Sequence, residues 1–271
     1  MQYLLGANMT ELARPADVTV ALPNFNNLTT LQDTLQSLDL QKDNKFALLI
    51  SDNHSDDGSY DIIQNWVHKK IPSTVVQPPT HISYIEHLRY ILEHVQTKYV
   101  VFLAGDDILS PNHIKLTNII LSKTSAQNAI FYRAENFTED NKRSTRKRFS
   151  DRSSYYIRLR SLNSPLGNIS GNVYQTKFLK AIFQDFDSMK RCGNCVDHYI
   201  CVKATEGQFI TSNYTGVKYR IHQGTWGAQK RQRMSADHAK FLSFYITQKL
   251  HFVERIVILR RLLISYFWSI I

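Results

Sequence analysis

Apolar positions along the chain alternate between short β-rich runs and stretches at helical spacing. Residues 18–22, "VTVAL", read as a buried strand stopped by Pro23. Leu28, Leu31, Leu35 and Leu38 then recur at intervals of three and four, which predicts a helix over residues 28–38. A second strand is predicted at 46–51, "FALLIS", closed by the polar turn "DNHSDDGS". Ile62, Ile63, Trp66 and Val67 mark a helical stretch, and 74–77 fits a short third strand. The periodic segment 83–95 is again helical, and 99–104, "YVVFLA", is a fourth strand. Ser110-Pro111 reads as an N-cap with proline in the first helical position. Residues 128–137 supply a fifth strand.

Strands alternating with helices predict an α/β fold: a mainly parallel sheet flanked by helices and joined by right-handed crossovers. Ligands of such sheets bind outside the carboxyl ends of the strands. That rule selects Asn24, Phe25 and Asn26 after the first strand, Asp52 at the end of the second, and Asp106 and Asp107 after the fourth. No internal repeat or low-complexity linker interrupts the pattern. The last apolar stretch, "LHFVERIVILRRLLISYFWSII", places His251, Glu254, Arg255, Arg261, Ser265 and Ser269 near one helical face. Arginines beside a broad apolar face fit an interfacial membrane helix, or else a terminal helix docked on the core or a second subunit.

Composition adds a charge asymmetry. The chain has 271 residues, ordinary hydrophobic content (43%) and a net charge of +10. Eight basic residues between Lys142 and Arg160 face the single acid Asp151, and Arg255, Arg260 and Arg261 form a second group. Such an excess points to a polyanion, an anionic membrane or a phosphate-bearing substrate, or to a merely solvated face. Three cysteines do not make a disulfide scaffold and suit a reducing compartment. The first residues lack a basic leader with an apolar core, and no apolar run reaches the roughly 20 residues of a membrane-spanning helix.

Common nucleotide signatures are absent: there is no G-x-x-x-x-G-K-[ST], and Pro23-Asn24-Phe25-Asn26 stands where a G-x-G-x-x-G would follow the first strand. The adjacent carboxylates of Asp106 and Asp107 repel each other, so a cation or a helix N-terminus should offset the cost. A hard oxygen site for Mg²⁺ or Mn²⁺ needs only one or two protein carboxylates when phosphate and water complete the shell. Asp52 either ends a polar turn or accepts a hydrogen bond from a nucleobase. Cys192, Cys195, His198 and Cys201 recur at three-residue spacing, which on a helix lines one flank and cannot enclose zinc. Asp197 is either a surface aspartate or a general base, and His222 either a loop histidine or a ligand.

"VTVALPNFNN", "LLISDNHSDDGS", "YVVFLAGDD...P" and "VDHY" occur in the order found in family 2 glycosyltransferases of the GT-A fold, which the chain resembles closely over 18–112 and more loosely to about 226. The resemblance implies a GT-A domain over 1–226, with a nucleotide-sugar part at about 17–112 and an acceptor part at about 128–226. Residues 227–271 would be a helical, membrane-associating tail. It implies that Pro23, Asn24, Phe25 and Asn26 line the nucleotide pocket with Asp52, Asn53 and Asp106. Asp106, with Asp107 beside it, would belong to a metal-binding Asp-x-Asp motif. His222 would lie near the metal or diphosphate, and Asp197 would be the catalytic base.

Two positions depart from the family pattern. Ala104 stands where an aspartate associated with the donor ribose is often found, and Val196 replaces the first member of the acidic pair at the base. The implied activity is inverting, metal-dependent sugar transfer from a nucleoside-diphosphate donor, a UDP-sugar foremost, with Mn²⁺ or Mg²⁺. The implied acceptor is a lipid-linked or oligosaccharide substrate of bacterial surface polysaccharide assembly. The implied location is the inner face of the plasma membrane, with a homodimer left open. The rivals are a nucleotidyltransferase, which lacks its glycine-rich basic loop here, and a non-catalytic membrane-associated nucleotide- or sugar-binding subunit. Nucleic-acid binding is not expected, since no recognition motif accompanies the basic cluster.

Overall fold

The computed structural model describes residues 17–66, 73–124, 128–138, 143–145, 154–163, 169–192, 195–221 and 231–270. The elements run β1 (Val18–Asn24), α1 (Leu28–Asp39), β2 (Ala47–Asp52), α2 (Ser59–Asn65), β3 (Ser73–Val76), α3 (Tyr84–His94), β4 (Tyr99–Phe102), β5 (Ile108–Leu109) and α4 (His113–Lys123). They continue with β6 (Ala129–Phe137), β7 (Arg143–Thr145), α5 (Ser154–Asn163), β8 (Val173–Gln175), α6 (Thr176–Gln184), α7 (Phe186–Arg191), α8 (Val196–Ala204), β9 (Phe209–Arg220), α9 (Arg231–Tyr245) and α10 (Phe252–Ile270).

The strand order is β3-β2-β1-β4-β8-β6-β9-β5, with β7 on β6. The long ladders are parallel: β1 with β2 and β4, β2 with β3, and β6 with β9. The short ladders of β4 with β8, β6 with β8, β5 with β9 and β6 with β7 are antiparallel. The predicted α/β sheet is therefore present, and GT-A-like mixed pairing extends it beyond the parallel half. Alternation along each strand feeds two cores. Val18, Val20, Leu22, Val101 and Leu103 face Leu31, Leu35, Leu38 and Ile114, while Ala21, Val100, Phe102 and Phe131 face Leu88, Leu92, Leu179, Ile200 and Phe241.

Several sequence boundaries shift. Pro23 lies inside β1 instead of ending it. The Ala21 carbonyl accepts from Leu103 N–H on the β4 side, and the Asn24 carbonyl accepts from Asn53 N–H on the β2 side. Pro23 therefore turns towards β4 beyond the end of that ladder, where its missing donor is not needed. Helix α4 starts at His113 with Asn112 as N-cap, not at Ser110-Pro111, because the Ser110 carbonyl is taken by Gln41 and by His113 N–H. Trp66 is the C-cap of α2, and Val67 lies outside the described residues. Helix α3 keeps its predicted extent through a capping box, with Ser83 Oγ accepting from Glu86 N–H and Glu86 Oε2 accepting from Ser83 N–H.

Helix α10 packs with α9 and α5 and turns its polar flank inward. Arg158 Nε donates to Glu254 Oε1 at 2.6 Å, with Glu254 only 2% exposed, and Ser265 is buried against His238. His238 in turn meets His198, whose other nitrogen donates to the Ser161 carbonyl. Burial holds both rings neutral, pulling His198 down to about 3 and His238 to about 4. At 100° per residue, Phe252, Ile256, Leu259, Leu263 and Phe267 share the opposite face and are exposed, Phe252 by 77% and Leu263 by 71%.

Phe131 is fully buried between Tyr174 and Phe209. Phe131→Ala removes a ring from a packed core, and urea denaturation is expected to show a loss of about 3–5 kcal/mol.

Candidate functional site

Parallel register puts the carboxyl ends of β1, β2 and β4 on one edge, with Asn24 beside Asp52. The buried Asn24 amide donates to Asp52 Oδ1 at 2.8 Å and to the Ser59 hydroxyl at 3.0 Å, while its Oδ1 accepts from Asn27 at 3.2 Å. Asp52 also accepts from Ser55 Oγ at 2.6 Å, Ser55 N–H at 3.0 Å and Gln77 Nε2 at 3.0 Å. Burial alone would raise this carboxyl, but the bonds from Ser55, Asn24 and Gln77 outweigh it and hold Asp52 below the ordinary carboxylate range.

The two turns brace each other further. Asn26 sits at φ 51°, its N–H donating to Ser55 Oγ at 3.0 Å and its Oδ1 accepting from Asp56 N–H at 3.0 Å. Asp57 accepts from Leu28 N–H, at the start of α1, and from Ser59 N–H, at the start of α2. The Asn53 side chain is bonded at both ends to the Ile82 backbone, at 2.8 and 3.0 Å, which fixes the loop after β3. That loop lays the His81 ring 4.6 Å from the ring of Phe25, itself 45% exposed at the edge. The result is an accessible aromatic surface a few residues from Asp52.

The third turn carries Asp106 and Asp107. Gly105 leaves room there: a Cβ would come within 2.7 Å of Asn27 Nδ2 and 2.9 Å of Asn24 Oδ1, so the Asn24–Asn27 pair would have to shift. Asp107 is wholly buried; its Oδ1 accepts from Arg220 N–H at 3.1 Å, and its Oδ2 is buried without a hydrogen-bond partner. Burial, then the neighbouring charge of Asp106, push its carboxyl well above the usual range. A buried carboxyl with one unsatisfied oxygen beside a partly exposed carboxylate takes a divalent cation only with loss of the proton that burial favours. Among the described residues no cluster of three or more His, Cys, Asp or Glu exists to cage such an ion. The donor set therefore fits Mg²⁺ or Mn²⁺ only if phosphate and water complete the shell. His222 lies outside the described residues.

Asp197 occupies the first turn of α8, and its Oδ2 accepts from Ile169 N–H at 3.1 Å. A residue missed in the sequence ties it to the acidic turn. Ser170, next to Ile169 and buried, accepts from Ala104 N–H at 3.3 Å. Asp197 is therefore joined through the 169–170 segment to the turn that carries Asp106 and Asp107. Arg220, at the end of β9, is a second missed residue. The cysteines belong elsewhere: all are buried, and burial pushes the thiols of Cys192 and Cys195 up to about 12.

A GT-A-like sheet with carboxylates gathered at its carboxyl edge is the architecture of a glycosyltransferase. The family model "Glycosyl transferase family 2" matches residues 19–183, and the chain belongs to that family. No curated protein sequence matches it. Among solved structures, S. aureus TarS residues 1–349 in complex with UDP-GlcNAc superposes with a TM-score of 0.69 at 16% identity, over 93% of this chain and 72% of that one. The mannosyltransferase PcManGT from Pyrobaculum calidifontis, in complex with GDP-Man and Mn²⁺, gives 0.65 at 15% identity with the same coverage.

Asp52 yields a pH signature. A carboxyl lowered in the folded state stabilises the fold above its unfolded value, near pH 4, and loses that effect as pH falls through the folded value. The urea-midpoint gap between wild type and Asp52→Asn is expected to stay constant from about pH 7 to 5 and to close below about pH 4.

Proposed function

We propose that this glycosyltransferase moves a sugar from a nucleoside-diphosphate donor, with inversion, to a hydroxyl of a lipid-linked saccharide in bacterial surface polysaccharide assembly. The observation that carries the reading is the link from Asp197 through Ile169 and Ser170 to Ala104, which sets the proposed base next to the turn that carries Asp106 and Asp107. TarS with UDP-GlcNAc and PcManGT with GDP-Man and Mn²⁺ support a nucleotide-sugar donor and a divalent ion, with UDP the first base to test.

Pro23–Asn26 and Asp52–Asn53 form the base end of the pocket. Phe25 with His81 offers the stacking surface and Asp52 an acceptor, while the Asn24 and Asn53 side chains shape the turns. Asp106 and Asp107, with His222, would hold Mn²⁺ or Mg²⁺, which when bound supplies positive charge to the departing diphosphate. Asp197 takes the proton of the acceptor hydroxyl as its oxygen attacks the anomeric carbon and the bond to the diphosphate breaks. Residues 17–112 serve the donor and 128–226 the acceptor.

Residues 227–271 form the membrane-associating part. Among the described residues no helix is long and apolar enough to cross a membrane. The exposed apolar stripe of α10, flanked by exposed Arg255 and Arg260, suits the surface of an anionic bilayer and supports a location on the inner face of the plasma membrane beside the acceptor.

Asp197→Asn is expected to lower transfer by roughly 10²–10⁴-fold while leaving nucleotide affinity near wild type, as read by turnover and calorimetry. Full turnover would remove Asp197 from the base role. Leu259→Glu combined with Leu263→Glu is expected to abolish sedimentation with vesicles containing phosphatidylglycerol and to leave the circular dichroism spectrum unchanged. Retained binding would assign the stripe to another partner, and loss of a dimer by light scattering would identify a second copy.

A further inference from the structure

We infer that Arg220 is the positioning residue of the acidic turn, holding Asp106 and Asp107 in the arrangement that takes the divalent cation. The inference rests on the proposed metal role of that turn and adds the group that makes the turn competent.

Backbone pairing brings the two together. Strand β5 follows the acidic pair directly and runs antiparallel to β9, with Ile108 opposite Lys218 and Leu109 opposite Val217. Continued two residues, that register sets Asp107 against Tyr219 and Asp106 against Arg220. On its other side Arg220 pairs with Phe137 of β6, the ring lying 4.8 Å from the guanidinium carbon. Both neighbouring strands therefore fix the backbone of Arg220 before its side chain makes any bond.

Each donor group then has a separate task. The backbone N–H binds Asp107 Oδ1 at 3.1 Å, and Nε binds the Asp106 carbonyl at 3.0 Å. Nη2 reaches Asp33 Oδ2 on α1 at 2.7 Å. The Asp106 carbonyl bond fixes the peptide that carries the metal-facing carboxylate, so Asp106 need not be ordered by the ion itself. Asp33 holds the far end of the guanidinium. It is about half exposed, whereas Arg220 is 8% exposed. A lysine cannot serve both the carbonyl and Asp33, because its single ammonium lacks the planar fork. Arg220 touches neither donor nor metal in this scheme; it acts through Asp106.

The test titrates Mn²⁺ into the full chain in the presence of UDP and, separately, GDP, reading thermal shift and calorimetric nucleotide affinity with and without the metal. Arg220→Lys and Asp33→Asn are compared with wild type and with Asp106→Asn. The expected result is a rise of about tenfold or more in the Mn²⁺ concentration for half effect in Arg220→Lys, with metal-free nucleotide affinity unchanged. A smaller rise is expected in Asp33→Asn, whose exposed position leaves the fold intact. Wild-type Mn²⁺ response in both variants, with Asp106→Asn impaired, overturns the positioning role alone. An equal fall in metal-free affinity would make Arg220 merely structural. A wild-type Mn²⁺ response in Asp106→Asn, or no response in wild type with either nucleotide, overturns the metal reading and the positioning role with it.

Discussion

Parallel pairing of β1 between β2 and β4 is the constraint on which the site depends. It brings three strand ends to one edge, so that the turns after them must share a small volume. Sharing is possible only because their polar groups satisfy each other. Asn24 spends its amide on Asp52 and Ser59, Asp57 caps two helices, and Gly105 leaves room for Asn24 and Asn27. A buried polar network of this kind is costly when partly satisfied and rigid when complete. At the β1–β2 turns it is close to complete, which makes that half of the edge a preformed wall.

The two acidic groups of the edge differ in how far the protein neutralises them. Four bonds to Asp52 outweigh its burial, so it remains charged without external help. Asp107 receives the Arg220 N–H on one oxygen while its other oxygen is buried without a partner, and burial with the neighbouring Asp106 favours its protonated form in spite of Ser170 and Arg220. The protein thus satisfies Asp52 internally and leaves Asp107 in deficit. In the proposed reading a cation brought with a diphosphate corrects that deficit, so that metal and nucleotide would bind interdependently.

Periodicity made the N-terminal half legible, because each buried strand or amphipathic helix there repeats its own local signal. The boundary at Pro23 was misplaced since nothing local shows that the β4 ladder stops two residues earlier. Strands β8 and β9 were missed for related reasons: β8 is three residues long, and β9 carries polar residues on a half-buried surface with a register irregularity opposite β6. Of the site, Asn24, Asp52, Asp106 and Asp107 were selected by position at strand ends, a rule that needs only element order. Arg220 and Ser170 were not. Arg220 meets Asp106 and Asp33 across 114 and 187 positions of sequence, and no local pattern encodes such a contact.

The tail shows the same limit from the other side. Its sequence gives an amphipathic helix but not which face turns inward, and ordinary expectation would bury the apolar stripe. Here the polar flank is buried because it finds partners there: Arg158 for Glu254, and a neutral histidine pair for Ser265. Breaking the buried Arg158–Glu254 pair would strand a charge, a cost large enough to resist flipping the helix. The exposed apolar face is therefore held outward by electrostatics inside the protein. The same clamp joins α10 to α5, which packs on α8, the helix that carries Asp197. In the proposed reading, a surface that engages the outward stripe would act on α8 and its Asp197 through the packed chain α10–α5–α8.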